Sequence, residues 1–359
     1  FLPVVRGCFG HSWDVWPVSL AKYLAAMREG ERRLLASETL LAIASGGRLD
    51  PAEAMPGRRE RAEWCWAMLS DHAWNGTDER NKRHNASLRR QWGEELNGLA
   101  DEIEQAGWSR VAVPSDTRSG VVFNSLSIPR RDVVCVRDPW MVAAARAGNE
   151  LTPLQLDTVG GQAVLCFVTP EVPGFGFCEW QFVDQAAPNQ SKSTLTATAT
   201  LLESRFYRLV PDPRTGGVAS LVHVASGKEL IAAGQHRTLC QTVYFDGQER
   251  LLENVRVEPL AAGPVFARLR ISGTAPGMTV ENLVTVYAQL DRVDFDLRIE
   301  KQPSGKEERL CHVFPLLGRD ATLRAASSGA IVRPRPQPAG DLLPGADTRR
   351  FAVQEFVSA

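Results

Sequence analysis

Neither sign of charge is in excess in this chain: 41 Lys and Arg face 42 Asp and Glu, for a net charge of -1. That balance removes the electrostatic reason to expect nucleic acid or an anionic membrane surface as the main partner. No apolar run approaches the roughly 18 residues that mark a membrane span. The chain also lacks a GxSxG elbow, an HExxH pair and a phosphate-binding glycine loop, which excludes the common serine-hydrolase, zinc-protease and nucleotide-binding signatures. Seven cysteines stand far apart, at 8, 65, 135, 166, 178, 240 and 311, with no CxxC pair among them. An odd, scattered set predicts reduced thiols and a cytosolic setting, and argues against a disulfide framework or a cysteine zinc site. There is no repeat of fixed period. The first residues, Phe1-Leu-Pro-Val-Val-Arg6, carry neither an initiator Met nor a signal-peptide pattern, and the last read as a strand. Both ends read as cut from a longer polypeptide.

What is present describes a globular protein: 359 residues, 44% hydrophobic and 23% charged, enough for two or three domains. The first ~108 residues read as helical. Pro17 suits a first helical turn, and Leu20, Leu24, Met27, Leu34, Leu35 and Leu41 form an apolar stripe that stops at Gly46-Gly47. A shorter helix over 58–69 carries Trp64, Trp66 and Met68. A third, beginning near Glu79, repeats Leu88, Trp92, Leu96, Leu99 and Ile103. Three such stripes predict a small antiparallel bundle.

After Trp108 the period changes to two. Short β-branched runs are expected at 111–113, 120–124, 132–136, 163–168, 195–203, 206–210, 218–224, 242–245, 255–259, 265–272, 278–287 and 293–300. Asp212-Pro-Arg-Thr-Gly-Gly217 is a hairpin turn. The polar stretch 186–193 reads as a linker, and 334–344 as a second loop. The expected architecture is α+β and multidomain: a three-helix bundle followed by antiparallel β-sandwich domains. Its units are a connector over 1–16, a helical domain over 17–108, a first β domain over 109–185 and a larger β-sandwich over 194–359.

Seven of the nine tryptophans (13, 16, 64, 66, 74, 92 and 108) lie in the helical part. Their flat faces can stack on sugar rings, or they can be bundle core. Core is favoured for Trp66 and Trp92, while Trp13 and Trp74 lie in turns, where packing explains them less well. His72, in Leu69-Ser-Asp-His-Ala-Trp-Asn-Gly-Thr77, can supply one metal-binding nitrogen, but a catalytic zinc commonly takes three protein ligands. Asp71 and Asp78 flank it without a standard metal spacing, and His11 with Asp14 makes only an HxxD pair. The basic run 80–90 is surrounded by acids, so it reads as a solvated helix face and not as a nucleic-acid patch. Sequons occur at Asn75, Asn85 and Asn189, and two of them fall in or beside an expected helix.

Several stretches taken together resemble the retaining α-mannosidases of glycoside hydrolase family 38. Ser12-Trp-Asp-Val-Trp-Pro-Val-Ser-Leu-Ala-Lys22 resembles the segment leading from that family's catalytic barrel into its helical middle domain. Ser70-Asp-His-Ala-Trp-Asn-Gly-Thr77 resembles its histidine motif. Val121-Val-Phe-Asn-Ser-Leu-Ser-Ile-Pro-Arg130 is similar to the entry into its β domains. Leu202–Arg208 with Asp212–Leu221 is similar to its β hairpin, and Tyr287–Asp294 to another strand pair. The matches keep the family's order across nearly the whole chain.

The resemblance implies that His72 is a zinc ligand, that Trp13 lines a sugar pocket, and that Asp71, Trp74 and Tyr244 are substrate contacts. Where the family often has an Asp just after the zinc histidine, this chain has Ala73. It further implies a Zn²⁺ site shared with an N-terminal barrel that carries the carboxylate nucleophile and the acid. This chain shows no His-x-Asp pair, and no nucleophile can be placed in it. The expected partner is a mannose-containing oligosaccharide or glycan, with a homo-oligomer left open. The isolated chain is expected to be inactive. Two rivals stand beside this reading: a non-catalytic carbohydrate-binding or assembly module, and a subunit that complements a separate barrel.

Overall fold

The computed structural model describes residues 21–47, 55–70, 78–114, 118–137, 142–187, 195–232, 236–302, 304–315, 322–327, 330–347, 353 and 356–358. Helices α1 (Ala21–Ala44), α2 (Pro56–Leu69) and α3 (Glu79–Trp108) come first. Gly46 and Gly47 follow α1 with φ of 63° and 70°, the left-handed geometry that ends a helix cheaply at glycine. At α3 the Asp78 carboxylate accepts from the Asn81 amide at 2.9 Å, an N-cap that satisfies one orphan donor.

Side-chain contacts set the directions of the helices. Arg58 meets Glu102, Arg61 meets Glu95 and Arg89 meets Met68, so α2 runs antiparallel to α3. Arg59 meets Glu38 and Ser70 meets Met27, so α2 also runs antiparallel to α1. The bundle is therefore up-down-up. A Cβ at Gly30 would lie 2.7 Å from Leu96 Cγ, and one at Gly107 2.8 Å from Leu40 Cγ, so two glycines let α1 and α3 approach closely. Met27, Leu34, Leu41, Cys65, Leu69, Leu96 and Ile103 form the core, with Trp66 and Trp92 packed against it as expected. No helix among the described residues is long and apolar enough to cross a membrane.

The β part begins with β1 (Ser119–Phe123), β2 (Val133–Val136), β3 (Ala144–Ala147), β4 (Glu150–Pro153), β5 (Gln155–Val159), β6 (Gln162–Val168) and β7 (Phe177–Val183). Sheet β1-β7-β3-β4 faces sheet β2-β6-β5, and Ala145, Ala147, Trp180 and Phe182 of the first pack on Leu165 and Phe167 of the second. Residues 111–113 are not a strand, contrary to expectation. They follow directly on the end of α3, where Arg110 and Val111 still donate to carbonyls of its last turn.

Next come β8 (Thr196–Thr198), β9 (Leu201–Glu203), β10 (Tyr207–Asp212), β11 (Gly217–His223), β12 (Lys228–Glu229), β13 (Gln241–Phe245) and β14 (Glu249–Leu251). They are followed by β15 (Glu253–Ala262), β16 (Phe266–Ala275), β17 (Met278–Tyr287), β18 (Val293–Lys301) and β19 (Arg309–Val313). The last strands are β20 (Arg324–Ser327), β21 (Ala330–Val332) and β22 (Val357–Ser358). The expected single run over 195–203 is the β8–β9 hairpin, because Ala199 and Thr200 turn it. The Asp212–Gly217 turn closes β10 on β11, with Asp212 Oδ1 accepting from the Arg214 amide at 2.9 Å and Gly216 at φ 71°. Sheet β12-β11-β10-β9-β8 stacks on sheet β15-β16-β17-β18. Leu202, Leu209 and Val218 there meet Leu269, Ile271 and Val284 in one core. Burial alternates along most of β16, with Leu269 and Ile271 inward and Arg268 and Arg270 outward, as a half-buried strand requires.

One observation on the first β unit differs from the sequence expectations, and a second goes beyond them. Cys135 and Cys166 face each other in register on β2 and β6 and are joined as a disulfide. They stand 31 residues apart, so no local spacing announces them; only strand pairing brings them together. The prediction of reduced thiols is corrected for this pair, and the argument it lent to a cytosolic setting falls with it. Second, a core cluster crosses the expected linker: Val164, Cys166 and Val168 pack on Val265, Phe266 and Tyr287. Arg292 Nη2 meets Asp132 Oδ1 at 3.0 Å, and Arg268 Nη1 meets Asp157 Oδ2 at 2.7 Å, across the same boundary.

Candidate functional site

The segment 71–77 joins α2 to α3, and its two brackets are well defined. On the α2 side, Ser70 Oγ donates to the Trp66 carbonyl at 2.9 Å and lies 3.6 Å from Met27 Sδ. Arg89, only 5% exposed, donates from Nη1 to the Met68 carbonyl at 2.8 Å. Charged side chains are seldom buried unless paired, and the bond to the Met68 carbonyl anchors the end of α2. On the α3 side stands the Asp78 cap. Sequence reading missed Arg89, because one arginine in a run of five basic residues over 80–90 has no local mark of burial. Most of that run is exposed, as expected of a solvated face. Asn85, one of the sequons, lies within α3.

Of the expected site residues, Trp13, Asp71, His72 and Trp74 lie outside the described residues. The structure does describe Tyr244. It sits in β13, 3% exposed, among Leu252, Ala275, Met278 and Val280. Its hydroxyl donates to Glu308 Oε2 at 2.8 Å, and Glu308 also meets Lys301 Nζ. The hydrogen bond to Glu308 pushes the Tyr244 phenol above its ordinary range. Lys301 and then Tyr244 hold the Glu308 carboxyl below its own.

Two features near the bundle surface suit stacking or a small ligand. Trp64 is 41% exposed, with the Arg61 guanidinium 4.2 Å from its ring centre and the Trp92 ring edge-on at 5.4 Å. Between α1 and α3 a cleft of about 380 Å³ is lined by Tyr23, Ala26, Arg89, Gly93 and Asn97. The Tyr23 hydroxyl engages Arg90 beside it.

A half-buried histidine on sheet β14-β13-β19 has a consequence for stability. His312 on β19 lies opposite Thr242, with Nδ1 3.1 Å from Thr242 Oγ1. Its Nε2 is buried without a hydrogen-bond partner, and burial pushes the imidazole pKa below 6.5. The unfolded chain therefore takes up this proton first. As pH falls through 6.5 the folded state loses stability, and the loss levels off once the folded pKa is also passed. Urea midpoints measured between pH 8 and pH 5 should fall with pH in the wild type and more shallowly in His312→Gln. Equal slopes would refute this assignment.

Among the described residues, no group of three or more His, Cys, Asp and Glu is placed to hold a metal ion. The described residues alone do not fit a zinc site.

A helical bundle leading into stacked antiparallel sheets defines an α+β multidomain architecture. It is similar in structure to a glycosyl hydrolase family 38 protein from Enterococcus faecalis, with a TM-score of 0.59 and 15% sequence identity. The likeness covers 92% of this chain and 49% of that one, so this chain spans about half the length of its structural neighbour. At that identity the likeness shows the fold. No protein-family model and no curated protein matches the sequence.

Proposed function

We propose that this chain is the helical middle and C-terminal β part of a zinc-dependent, retaining α-mannosidase acting on terminal α-D-mannosides. The observation that carries the proposal is the fold likeness to a family 38 glycosyl hydrolase over 92% of the chain, which agrees with the ordered sequence matches. His72 would give one zinc ligand, with the remaining ligands, the carboxylate nucleophile and the acid on an N-terminal barrel. The zinc, when bound, would hold sugar hydroxyls. Trp13, Asp71 and Trp74 would contact the mannosyl group, whereas Tyr244, expected from the sequence as a fourth contact, is buried in the β core with its hydroxyl bonded to Glu308 and is withdrawn from that role. Arg89 and Asp78, by fixing the helix ends on either side of 71–77, would set where His72 stands.

The test is to express this chain alone and fused to the polypeptide encoded upstream, then assay an aryl α-mannoside. The chain alone should show no turnover, because the covalent step has no nucleophile. The fusion should hydrolyse the substrate with retention, lose activity to a chelator, and lose about 100-fold or more in kcat/KM on His72→Ala. Turnover by the chain alone, lost on His72→Ala, would refute the division of labour. A fusion that cleaves only other glycosides would refute the substrate.

A further inference from the structure

The outer face of sheet β15-β16-β17-β18 holds a cleft of about 530 Å³ built around a bulge in β15. Glu253 lies opposite Thr274 and Arg256 opposite Ser272, so Asn254 and Val255 together face Gly273. Val255 packs inward against the sandwich core. Asn254 takes a φ of 54°, a left-handed conformation that asparagine tolerates better than most residues. Its Nδ2 donates to Thr274 Oγ1 at 3.1 Å. The extra residue thus adds an amide to the outer face beside Arg256, the kind of re-aiming that bulges perform near binding sites. A Cβ at Gly273 would lie 3.1 Å from the Glu253 carbonyl, so the bulged backbone closes directly on a glycine.

The walls of the cleft balance in charge. Arg256 and Arg298 bring two guanidiniums, and Glu281 and Glu300 bring two carboxylates. Arg270 holds Glu281 at 2.9 Å, and Arg298 and Glu300 pair only loosely at 3.7 Å, both highly exposed. Arg256 is exposed and has no ion-pair partner among the described residues. With no net charge, the cleft gives neither a phosphate nor a metal ion a long-range advantage. What remains is dense and mixed hydrogen-bonding capacity. Guanidiniums only donate, carboxylates only accept, and Asn254, Thr274 and Thr279 do both. A sugar hydroxyl also does both, so a chain of hydroxyls can satisfy these walls where a simple ion cannot.

We propose that this cleft binds a neutral oligosaccharide of two or three residues. The site needs neither zinc nor the segment 71–77, so it goes beyond the active-site reading and stands independently of it. Its volume falls in the ~300–1,000 Å³ range of small-ligand clefts.

The test uses the full chain with α-mannotriose as probe, read by saturation-transfer difference NMR and by titration calorimetry. Wild type should show transfer to the sugar, with a Kd on the order of 1 mM as expected of an open, water-exposed groove. Arg256→Ala and Asn254→Gly, which keep an exposed surface and the positive φ respectively, should each weaken binding about 10-fold, and Thr279→Trp should block it. Far-UV circular dichroism and melting temperature should stay unchanged in all three. Binding should survive a chelator and His72→Ala. No transfer in wild type, transfer insensitive to all three variants, or displacement of the sugar by sodium sulfate or magnesium chloride would each overturn the proposal. Hydrolysis of an aryl α-mannoside by the fusion reads the active-site proposal separately.

Discussion

Phe167→Ala is expected to destabilise the protein by about 4 kcal/mol, the usual cost of emptying a phenylalanine from a closed core. Phe167 is fully buried, with its ring 5.5 Å from that of Trp180 and 6.2 Å from that of Phe182. It lies on β6, the middle strand of its three-stranded sheet, and points at the facing sheet of the first β unit. That unit is a thin sandwich, so the ring fills much of the space between its layers. Sheets pinned by backbone pairing cannot collapse into a void of that size. Phe167→Leu retains most of the volume and should cost only about 1–2 kcal/mol. Urea unfolding at pH 7.5 measures both, and a loss below 1 kcal/mol for the alanine variant would show that the site collapses or that the core lies elsewhere.

Gln155→Ala should cost about 3 kcal/mol, the sum of hydrogen bonds lost and buried donors left bare. Gln155 is 7% exposed and lies at the start of β5, yet its amide is spent on a distant strand. Oε1 accepts from the backbone amides of Val265 and Phe266, both at 3.0 Å, and Nε2 donates to the Phe266 carbonyl at 3.1 Å. The amide thus pairs like a short piece of strand and ties the first β unit to β16. Alanine would bury two N–H groups without acceptors, and water cannot easily reach them. Hydrogen exchange locates the effect: the Val265 and Phe266 amides should exchange much faster in the variant, while the bundle amides should not change. Continued protection of those two amides would remove the basis of the prediction.

Periodicity made the helices legible. Leu34 and Leu41 on α1, and Leu96 and Ile103 on α3, recur at helical spacing and all prove buried. The same holds for the alternating strand β16 and for the Asp212–Gly217 turn, whose residue types leave few other conformations. Strands with weak signals were missed. Ala144-Ala-Arg-Ala147 has no β-branched residue, and it is a strand because Trp180 and Phe182 of β7 bury its alanines beside them. Phe177–Val183 was also missed. It mixes aromatic with polar residues in a pattern that fits a pleated surface only once its neighbours are present.

The candidate site divides in the same way. His72, Trp13 and Trp74 stand out in the sequence as local features, but they lie outside the described residues. Arg89, Gln155, His312 and the Cys135–Cys166 pair do not stand out locally. Each is defined by a partner from 21 to 111 residues away. For this protein the sequence by itself determined the three helices, the strands with a clear alternating or β-branched signal, and where one period yields to the other. Only the tertiary structure decided which polar groups are buried, which cysteines meet, and where a β15 bulge places an amide and a free guanidinium on one face. The reason is physical: period and turn chemistry act within a few residues, whereas burial and pairing exist only after distant strands are brought into register.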